Sequence, residues 1–137
     1  MKRHIRTLIH ALCLVLVAPV LAGEYAVVVS RATRADKDWQ SVVAVLVKKH
    51  EAIVIEHDGE VAAALGSLRA AFPRYTCFVA TPKEATGVYV AQVHQLTRKL
   101  DDDPYTDTQW GILTGYNAEN ALAIARHTEP LTVRKGA

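Results

Sequence analysis

Cysteine is scarce in this sequence, and its scarcity excludes a fold stabilised by disulfides. Only two cysteines occur among the 137 residues, and Cys13 lies in an amino-terminal segment that we expect to be removed. The remaining cysteine, Cys77, then has no partner with which to form an internal disulfide. Stability must therefore come from the packing of apolar side chains, and hydrophobic residues make up 50% of the sequence.

The sequence also lacks the short motifs of common nucleotide and zinc sites. No glycine-rich pattern follows the first predicted strand, which excludes a dinucleotide-binding fingerprint and a P-loop. The histidines beyond the amino-terminal segment are His50, His57, His94 and His127, and their spacing fits no zinc motif. Only His57 and His127 lie at predicted loop positions, and we expect a structural role for both.

Residues 1–22 have the pattern of a signal peptide. Three basic residues precede an apolar run over residues 8–20, and small residues before Gly23 fit signal-peptidase cleavage of the Ala22–Gly23 bond. The run is shorter than the roughly 20 residues of a transmembrane helix. The residues before Cys13 do not fit lipoprotein processing. We therefore expect a secreted, periplasmic or cell-envelope protein without a stable membrane anchor.

Removal of the signal peptide changes the net charge. The whole chain has 16 Lys and Arg against 14 Asp and Glu, a formal charge of +2. Three of the basic residues lie in the signal peptide and no acidic residue does, so 13 oppose 14 in the mature chain and its charge is −1. The mature chain therefore has no basic excess of the kind that nucleic-acid-binding domains carry, and we expect no nucleic-acid partner.

The apolar residues change their period several times along the mature chain. Continuous runs rich in β-branched residues predict strands, and spacings of three and four residues predict helices. The predicted strands cover residues 25–30, 52–56, 75–80 and 110–114. The predicted helices cover residues 36–50, 61–72, 81–100, with a kink or restart at Gly87, and 117–126.

This alternation predicts one α/β domain over residues 23–137, with the order βαβαβαβα. Strands that are apolar along their whole length are typical of a parallel sheet with helices on both faces. We therefore predict a three-layer sandwich with a mainly parallel four-stranded sheet. Residues 131–133 predict the start of a further strand, so we expect the domain to be the truncated part of a longer polypeptide.

Two arginines after the first predicted strand are candidates for anion binding, and a cysteine inside the third is a candidate nucleophile. Ligands of parallel sheets bind at the carboxyl ends of the strands, and Arg31 and Arg34 after the first strand can bind an anion there. Solvated loop charges are the favoured alternative. Cys77 is the only candidate thiol nucleophile, but it lies in the middle of an apolar strand, where cysteine usually packs as a small hydrophobic residue.

An acidic loop precedes the fourth predicted strand. Its aspartates are Asp101, Asp102, Asp103 and Asp107, and carboxylate oxygens are ligands that calcium prefers. The spacing is not that of an EF-hand, because the sixth position holds no glycine and the twelfth holds Ile112. Two interpretations remain open, a solvated acidic turn and a weak calcium or ligand site formed by residues 101, 103 and 107.

Three segments carry a resemblance to a known family. They are the opening strand EYAVVVS at residues 24–30, the strand PRYTCFVA at 73–80, and the loop DDPYTD at 102–107 followed by GILTGY at 111–116. With these segments the mature chain resembles the amino-terminal subdomain of gingipain-like cysteine peptidases, which are secreted enzymes of the caspase-type α/β fold. The resemblance covers nearly all of residues 24–126.

The chain departs from that family in one turn and in its lack of the catalytic motifs. Thr114-Gly115-Tyr116-Asn117 stands where the family usually has Gly-Arg-Leu-Pro. The catalytic His and Cys motifs of the family lie in a following subdomain, and no part of this chain matches them. The resemblance therefore implies no catalytic residue here.

Three function classes follow from these observations. The first is the non-catalytic amino-terminal part of an exported gingipain-like peptidase, whose partner is the remainder of the polypeptide or a second subdomain. The second is an exported flavodoxin-like binding or interaction domain without enzymatic activity. The third is a complete small hydrolase that uses Cys77 or a His–Asp pair. We favour the first, in which this chain alone is inactive.

Overall fold

The computed structural model describes residues 24–129 and confirms the predicted α/β sandwich. The four strands are β1 (Tyr25–Ser30), β2 (Ile53–His57), β3 (Tyr75–Val79) and β4 (Gln109–Leu113). They form one sheet in the order β2-β1-β3-β4, and all three pairs of neighbouring strands are parallel.

The helices cover both faces of the sheet. They are α1 (Arg31–Ala35), α2 (Lys37–His50), α3 (Leu65–Ala71), α4 (Gly87–Leu96) and α5 (Ala118–Arg126), with a 3₁₀ turn (Val61–Ala64) before α3. One face packs on α2 and α5, and the other packs on the 3₁₀ turn, α3 and α4. No helix in the described part of the chain is long and apolar enough to cross a membrane.

The two central strands are buried because helices cover them from both sides. Along β1, Ala26 and Val28 face α3 and α4, whereas Val27 and Val29 face α2 and α5. All four side chains are fully buried. Burial of a valine side chain contributes about 1.5 kcal/mol or more, so the uninterrupted apolar run that predicted β1 is also what holds the two outer layers to the sheet.

The largest difference from the predicted elements is the start of the third long helix. A helix from Thr81 was expected, but residues 81–85 form a turn and α4 begins at Gly87 with Thr86 as its N-cap. The helix also ends at Leu96, before the predicted residue 100. The turn persists because the side chain of Glu84 binds residues of the β1–α1 junction instead of extending a helix.

The remaining differences are smaller. Residues 31–35 form α1 where a loop was expected, since Ser30 caps this short helix by accepting a hydrogen bond from the Thr33 N–H. The predicted helix over residues 61–72 begins as the 3₁₀ turn. The boundaries of β2, β3 and β4 shift by one residue. The predicted signal peptide with its Ala22–Gly23 bond and the predicted strand at 131–133 lie outside the described residues.

Candidate functional site at the carboxyl ends of the strands

The sheet has a topological switch point between β1 and β3. The chain leaves β1 toward α2 on one face and leaves β3 toward α4 on the other face. The connections therefore separate beyond the carboxyl ends of these two neighbouring strands and leave a crevice there. In open parallel sheets such a crevice is where ligands bind.

In this protein a carboxylate of the chain itself lies at the crevice. Glu84 Oε1 accepts a hydrogen bond from Ser30 Oγ at 2.5 Å, and Glu84 Oε2 accepts one from Thr33 Oγ1 at 2.6 Å. Oε2 also accepts hydrogen bonds from the Thr81 N–H at 2.8 Å and from Thr81 Oγ1 at 3.0 Å. Glu84 thereby links the end of β1 to the segment that follows β3.

Local sequence explains how Glu84 reaches this position. Thr81 and Glu84 have the spacing of a capping box, and the Glu84 N–H donates to Thr81 Oγ1 at 3.3 Å. Burial alone raises the pKa of Glu84, but the hydrogen bonds from Ser30, Thr33 and Thr81 outweigh it and hold the pKa below its ordinary value. The carboxylate therefore stays ionised at neutral pH.

His57, the last residue of β2, has the opposite environment. Its side chain is 5% exposed, and neither ring nitrogen has a hydrogen-bond partner among the described residues. Burial lowers the pKa of His57, while the nearby Gly59 backbone and the charges of Glu84, Asp58 and Glu60 oppose that shift without reversing it. The Gly59 backbone lies close to the ring but does not reach hydrogen-bond geometry. The ring is therefore neutral.

A cavity of about 210 Å³ lies beside His57. Val61 and Tyr89 form apolar parts of its wall, and its polar lining includes Glu60, Lys83, Glu84 and Gln92. The Gln92 side chain donates a hydrogen bond to Glu60 across this surface. The cavity thus combines a buried neutral imidazole with charged groups nearer to the solvent.

The two arginines that the sequence offered for anion binding are paired with acidic residues. Arg31 Nη1 lies 2.6 Å from Asp58 Oδ2, and Arg34 Nε lies 3.6 Å from Glu56 Oε1. Side chains of both pairs are well exposed to solvent, where such pairs contribute little to stability. This geometry supports the favoured interpretation of solvated loop charges.

Cys77 is buried in β3, as the apolar strand predicts. Burial raises the pKa of its thiol to about 11. The neighbouring Tyr25 is affected in the same direction, since burial and the proximity of Cys77 raise the pKa of Tyr25 to about 12. A catalytic cysteine needs a lowered thiol pKa and access to solvent, so this environment supports the packing role and not the small-hydrolase interpretation.

The acidic loop lies before β4, at the opposite edge of the sheet from the carboxyl ends of the strands. Its candidate ligands do come together, since carboxylate oxygens of Asp101, Asp103 and Asp107 lie within 4.8 Å of one another. Asp102 is outside this group. The structure therefore brings together the three residues that the sequence singled out, and calcium binding by them stays a prediction.

The same aspartates also have a structural role that the sequence did not reveal. In the absence of an ion, the sequence predicts that these acids add charge repulsion rather than packing. Instead, Asp107 Oδ2 accepts hydrogen bonds from the N–H groups of Leu100 and Asp101, at 2.8 and 3.3 Å. Asp101 and Asp103 each accept a hydrogen bond from the backbone N–H two residues later. Loss of Asp107 should therefore weaken the loop even without an ion, which corrects that expectation.

The turn after β4 is shaped by a close backbone approach. A Cβ atom on Gly115 would lie 2.7 Å from Asn120 Oδ1 and 2.9 Å from the Ala121 nitrogen, so only glycine fits against the first turn of α5. Asn117 caps α5 by accepting a hydrogen bond from the Asn120 N–H. Tyr116 is 96% exposed beside this turn.

Sequence reasoning missed the roles of Glu84 and His57. The spacing of Thr81 and Glu84 predicts a capping box, but the other partners of Glu84, Ser30 and Thr33, are more than 50 residues away in sequence. His57 was placed in a loop, whereas it ends a strand and is buried. A polar residue directly after an apolar strand run is the signal that would have pointed to such a position.

Comparisons with models of protein families, with curated proteins and with solved structures found no match to this chain. Function is therefore inferred from the geometry itself. The features that bear on it are the hydrogen-bonded Glu84 at the crevice, the buried thiol of Cys77, the unpartnered His57 beside its cavity, and the outer edge of β4.

Proposed function

We propose that this chain is the non-catalytic amino-terminal part of an exported gingipain-like cysteine peptidase. The resemblance over residues 24–126 motivates the proposal, and the parallel four-stranded sheet is consistent with the caspase-type architecture that the resemblance implies. Export follows from the signal-peptide pattern of residues 1–22. In this view the chain supplies a framework, and the nucleophile and base come from the remainder of the polypeptide.

The observation that carries the proposal is the outer edge of β4. The apolar side chains Trp110, Ile112 and Leu113 are only partly buried, whereas the residues of β3 that pair with them are almost completely buried. No described strand pairs with this outer edge. Parallel sheets are normally covered, and an edge strand of this kind is a template for further pairing. A following subdomain that continues the sheet would cover it.

The carboxyl ends of the strands support a non-catalytic role. Nucleophilic catalysis requires a nucleophile and a base within hydrogen-bond reach. Cys77 is buried with a raised pKa, and at the switch-point crevice, the usual location of a site, Glu84 is held by four hydrogen bonds from the chain itself. These features favour a folded framework over an active centre within this domain.

The native protein provides the test. An antibody raised against the chain should detect, in the envelope or secreted fraction of the native cell, a polypeptide larger than 15.0 kDa that begins at Gly23. That polypeptide should carry a thiol that reacts rapidly with iodoacetamide, and it should hydrolyse peptides until it is alkylated. A species of no more than 15.0 kDa, or a larger one without a reactive thiol and without activity, would contradict the proposal.

One observation favours the second candidate, an exported flavodoxin-like binding or interaction domain. A buried histidine without a partner beside a cavity is suited to holding a ligand. The same antibody experiment separates the two candidates, because a binding domain of this size needs neither a larger polypeptide nor a reactive thiol.

A further inference from the structure

The cavity beside His57 contains a polar side chain whose hydrogen-bonding capacity is unused. His57 is 5% exposed, and neither of its ring nitrogens has a partner among the described residues. Buried polar groups in folded proteins almost always have a partner, and leaving one unpaired is destabilising. The adjoining cavity of about 210 Å³ has room for the missing partner.

A metal ion does not fit this location. Coordination needs three or more ligand atoms close together. Within residues 24–129, the only group of three acidic, histidine or cysteine side chains with ligand atoms inside 4.8 Å is the aspartate group of the acidic loop. His57 therefore has no preformed set of co-ligands, and an organic partner is the better match.

The charges around the cavity select against an anion. Two carboxylates, those of Glu60 and Glu84, line it against one ammonium group, that of Lys83. Glu84 and Glu60 lie close enough to His57 to act on its charge state. Because the ring stays neutral, one of its nitrogens is a hydrogen-bond acceptor without a donor. A positively charged nitrogen that donates hydrogen bonds can pair with the imidazole and with the carboxylate of Glu60, and the charge of the hydrogen-bonded Glu84 favours it.

The apolar part of the lining indicates that the remainder of the ligand is a hydrocarbon. Val61, Val88 and Tyr89 line the same cavity. A cavity of about 150 Å³ suffices for a molecule as small as benzene, so about 210 Å³ admits a short hydrocarbon stem with one polar head. Drug-sized ligands need larger sites of roughly 300 Å³ or more.

We propose that the His57 cavity binds a small organic amine, with the ammonium group between His57 and Glu60 and the hydrocarbon stem against Val61, Val88 and Tyr89. The proposal does not depend on the proposed function, because it concerns a cavity that neither the peptidase resemblance nor the β4 edge involves. A free amine and the amino group of another polypeptide share this chemistry.

A series of probes with one stem and different heads tests the proposal on the full chain. Butylamine, butanol and butyrate are titrated at constant pH and ionic strength while the ring nitrogens of His57 are observed by ¹H–¹⁵N NMR. Butylamine should give a saturable shift of the His57 signals, butanol a weaker one, and butyrate none. Nα-acetyl-lysine methylamide distinguishes the two sources, since tighter binding than butylamine would indicate a polypeptide amino group.

Two variants and a control locate the site. His57→Leu has no ring to observe, so its binding is followed at the backbone amide signals of Val61 and Val88, which line the cavity. This variant should bind butylamine about 10-fold or more weakly, as expected when a hydrogen bond to a charged group is lost. Glu60→Gln should weaken butylamine and leave butanol unchanged, whereas His127→Gln, at the exposed end of α5, should change neither. No saturable shift with any probe, as expected if only water pairs with His57, or equal responses to all three heads, would overturn the proposal.

Discussion

Glu84 and His57 lie at the same edge of the sheet, yet the protein treats them in opposite ways. Glu84 is partly buried and accepts four hydrogen bonds from three residues. His57 is almost completely buried and has no hydrogen-bond partner among residues 24–129. The pKa of both groups is lowered, but hydrogen bonds to the charged form lower it for Glu84, and burial lowers it for His57.

This difference in hydrogen bonding shows that the end of a strand can either stabilise the fold or remain available for a ligand. At the switch point between β1 and β3, the chain's own carboxylate is held by hydrogen bonds, so this point serves stability. At the end of β2, the unpartnered ring lowers stability and is available for binding. The central claim of the account is that, at this carboxyl edge, Glu84 is saturated by the chain's own hydrogen bonds whereas His57 is left open.

The largest effect is expected when the hydrogen bonds of Glu84 are broken. Glu84→Gln replaces one acceptor oxygen by an NH₂ group, which cannot accept from the hydroxyl and amide donors of Ser30, Thr33 and Thr81, and it removes the charge. The free energy of unfolding at pH 7.5 should therefore fall by about 2–4 kcal/mol. Urea unfolding measures this change. Glu24→Gln removes an exposed carboxylate near Arg74 and should change stability by about 0.5 kcal/mol or less. Equal effects of the two substitutions would show that Glu84 does not link the strand ends.

The next largest effect is a pH dependence of the free energy of unfolding that is caused by His57. Because its pKa is lower in the folded than in the unfolded chain, the unfolded chain takes up the proton first as the pH falls below 6.5. Stability from this group is complete above pH 6.5 and is lost toward its lower folded pKa, by at most about 1.4 kcal/mol per pH unit. Glu84 adds a loss in the same direction below its ordinary value of 4.5.

The difference between wild type and His57→Leu isolates this dependence. His50 also has a lowered pKa, from burial and the charge of Lys49, but it contributes equally to both proteins. The stability advantage of His57→Leu should therefore grow as the pH is lowered from 7.5 to 5.5, in urea unfolding at each pH. A constant difference would mean that His57 titrates alike in the folded and unfolded chain.

A smaller effect is expected at pH 7.5, where the histidine is neutral in both states. His57→Leu replaces an unpartnered polar ring by an apolar side chain and should raise the free energy of unfolding by about 1 kcal/mol. The same substitution at the exposed His127 should give no gain. A loss of stability on substitution of His57 would show that the ring has a stabilising partner.

The smallest effect on stability is expected at the acidic loop, where an aspartate accepts hydrogen bonds as Glu84 does but lies in a segment that is largely exposed to solvent. Asp107→Ala removes the acceptor of two backbone N–H groups, but solvent replaces it, so the loss should be about 1 kcal/mol or less in calcium-free buffer. Asp107→Asn keeps an acceptor oxygen and should lose less still. A loss as large as that of Glu84→Gln would show that burial does not cause the contrast between the two sites.

Much of the fold could be predicted because its signals are local. The continuous apolar run of β1 and the helical spacing of α2 each identify their element without any tertiary contact. The start of α4 could not be predicted in this way. Thr81 to Glu84 satisfies a local capping pattern. Glu84 also binds Ser30 and Thr33 at the β1–α1 junction, more than 50 residues earlier in the sequence, and this tertiary contact holds the segment as a turn.

The candidate site was less predictable for the same reason. The group formed by Asp101, Asp103 and Asp107 was recognised because its members are close in sequence. His57 was not recognised, because its burial depends on how the 3₁₀ turn and α4 pack over the end of β2. A turn-like HDG sequence carries no information about that packing.

The most direct test of the central claim is a single NMR titration of the full chain that follows the Glu84 carboxyl carbon and the His57 ring nitrogens. The account predicts that Glu84 titrates with a pKa below its ordinary value of 4.5, and that His57 remains neutral below its ordinary value of 6.5. A Glu84 pKa at or above 4.5, or a His57 ring protonated above pH 6.5, would contradict the account.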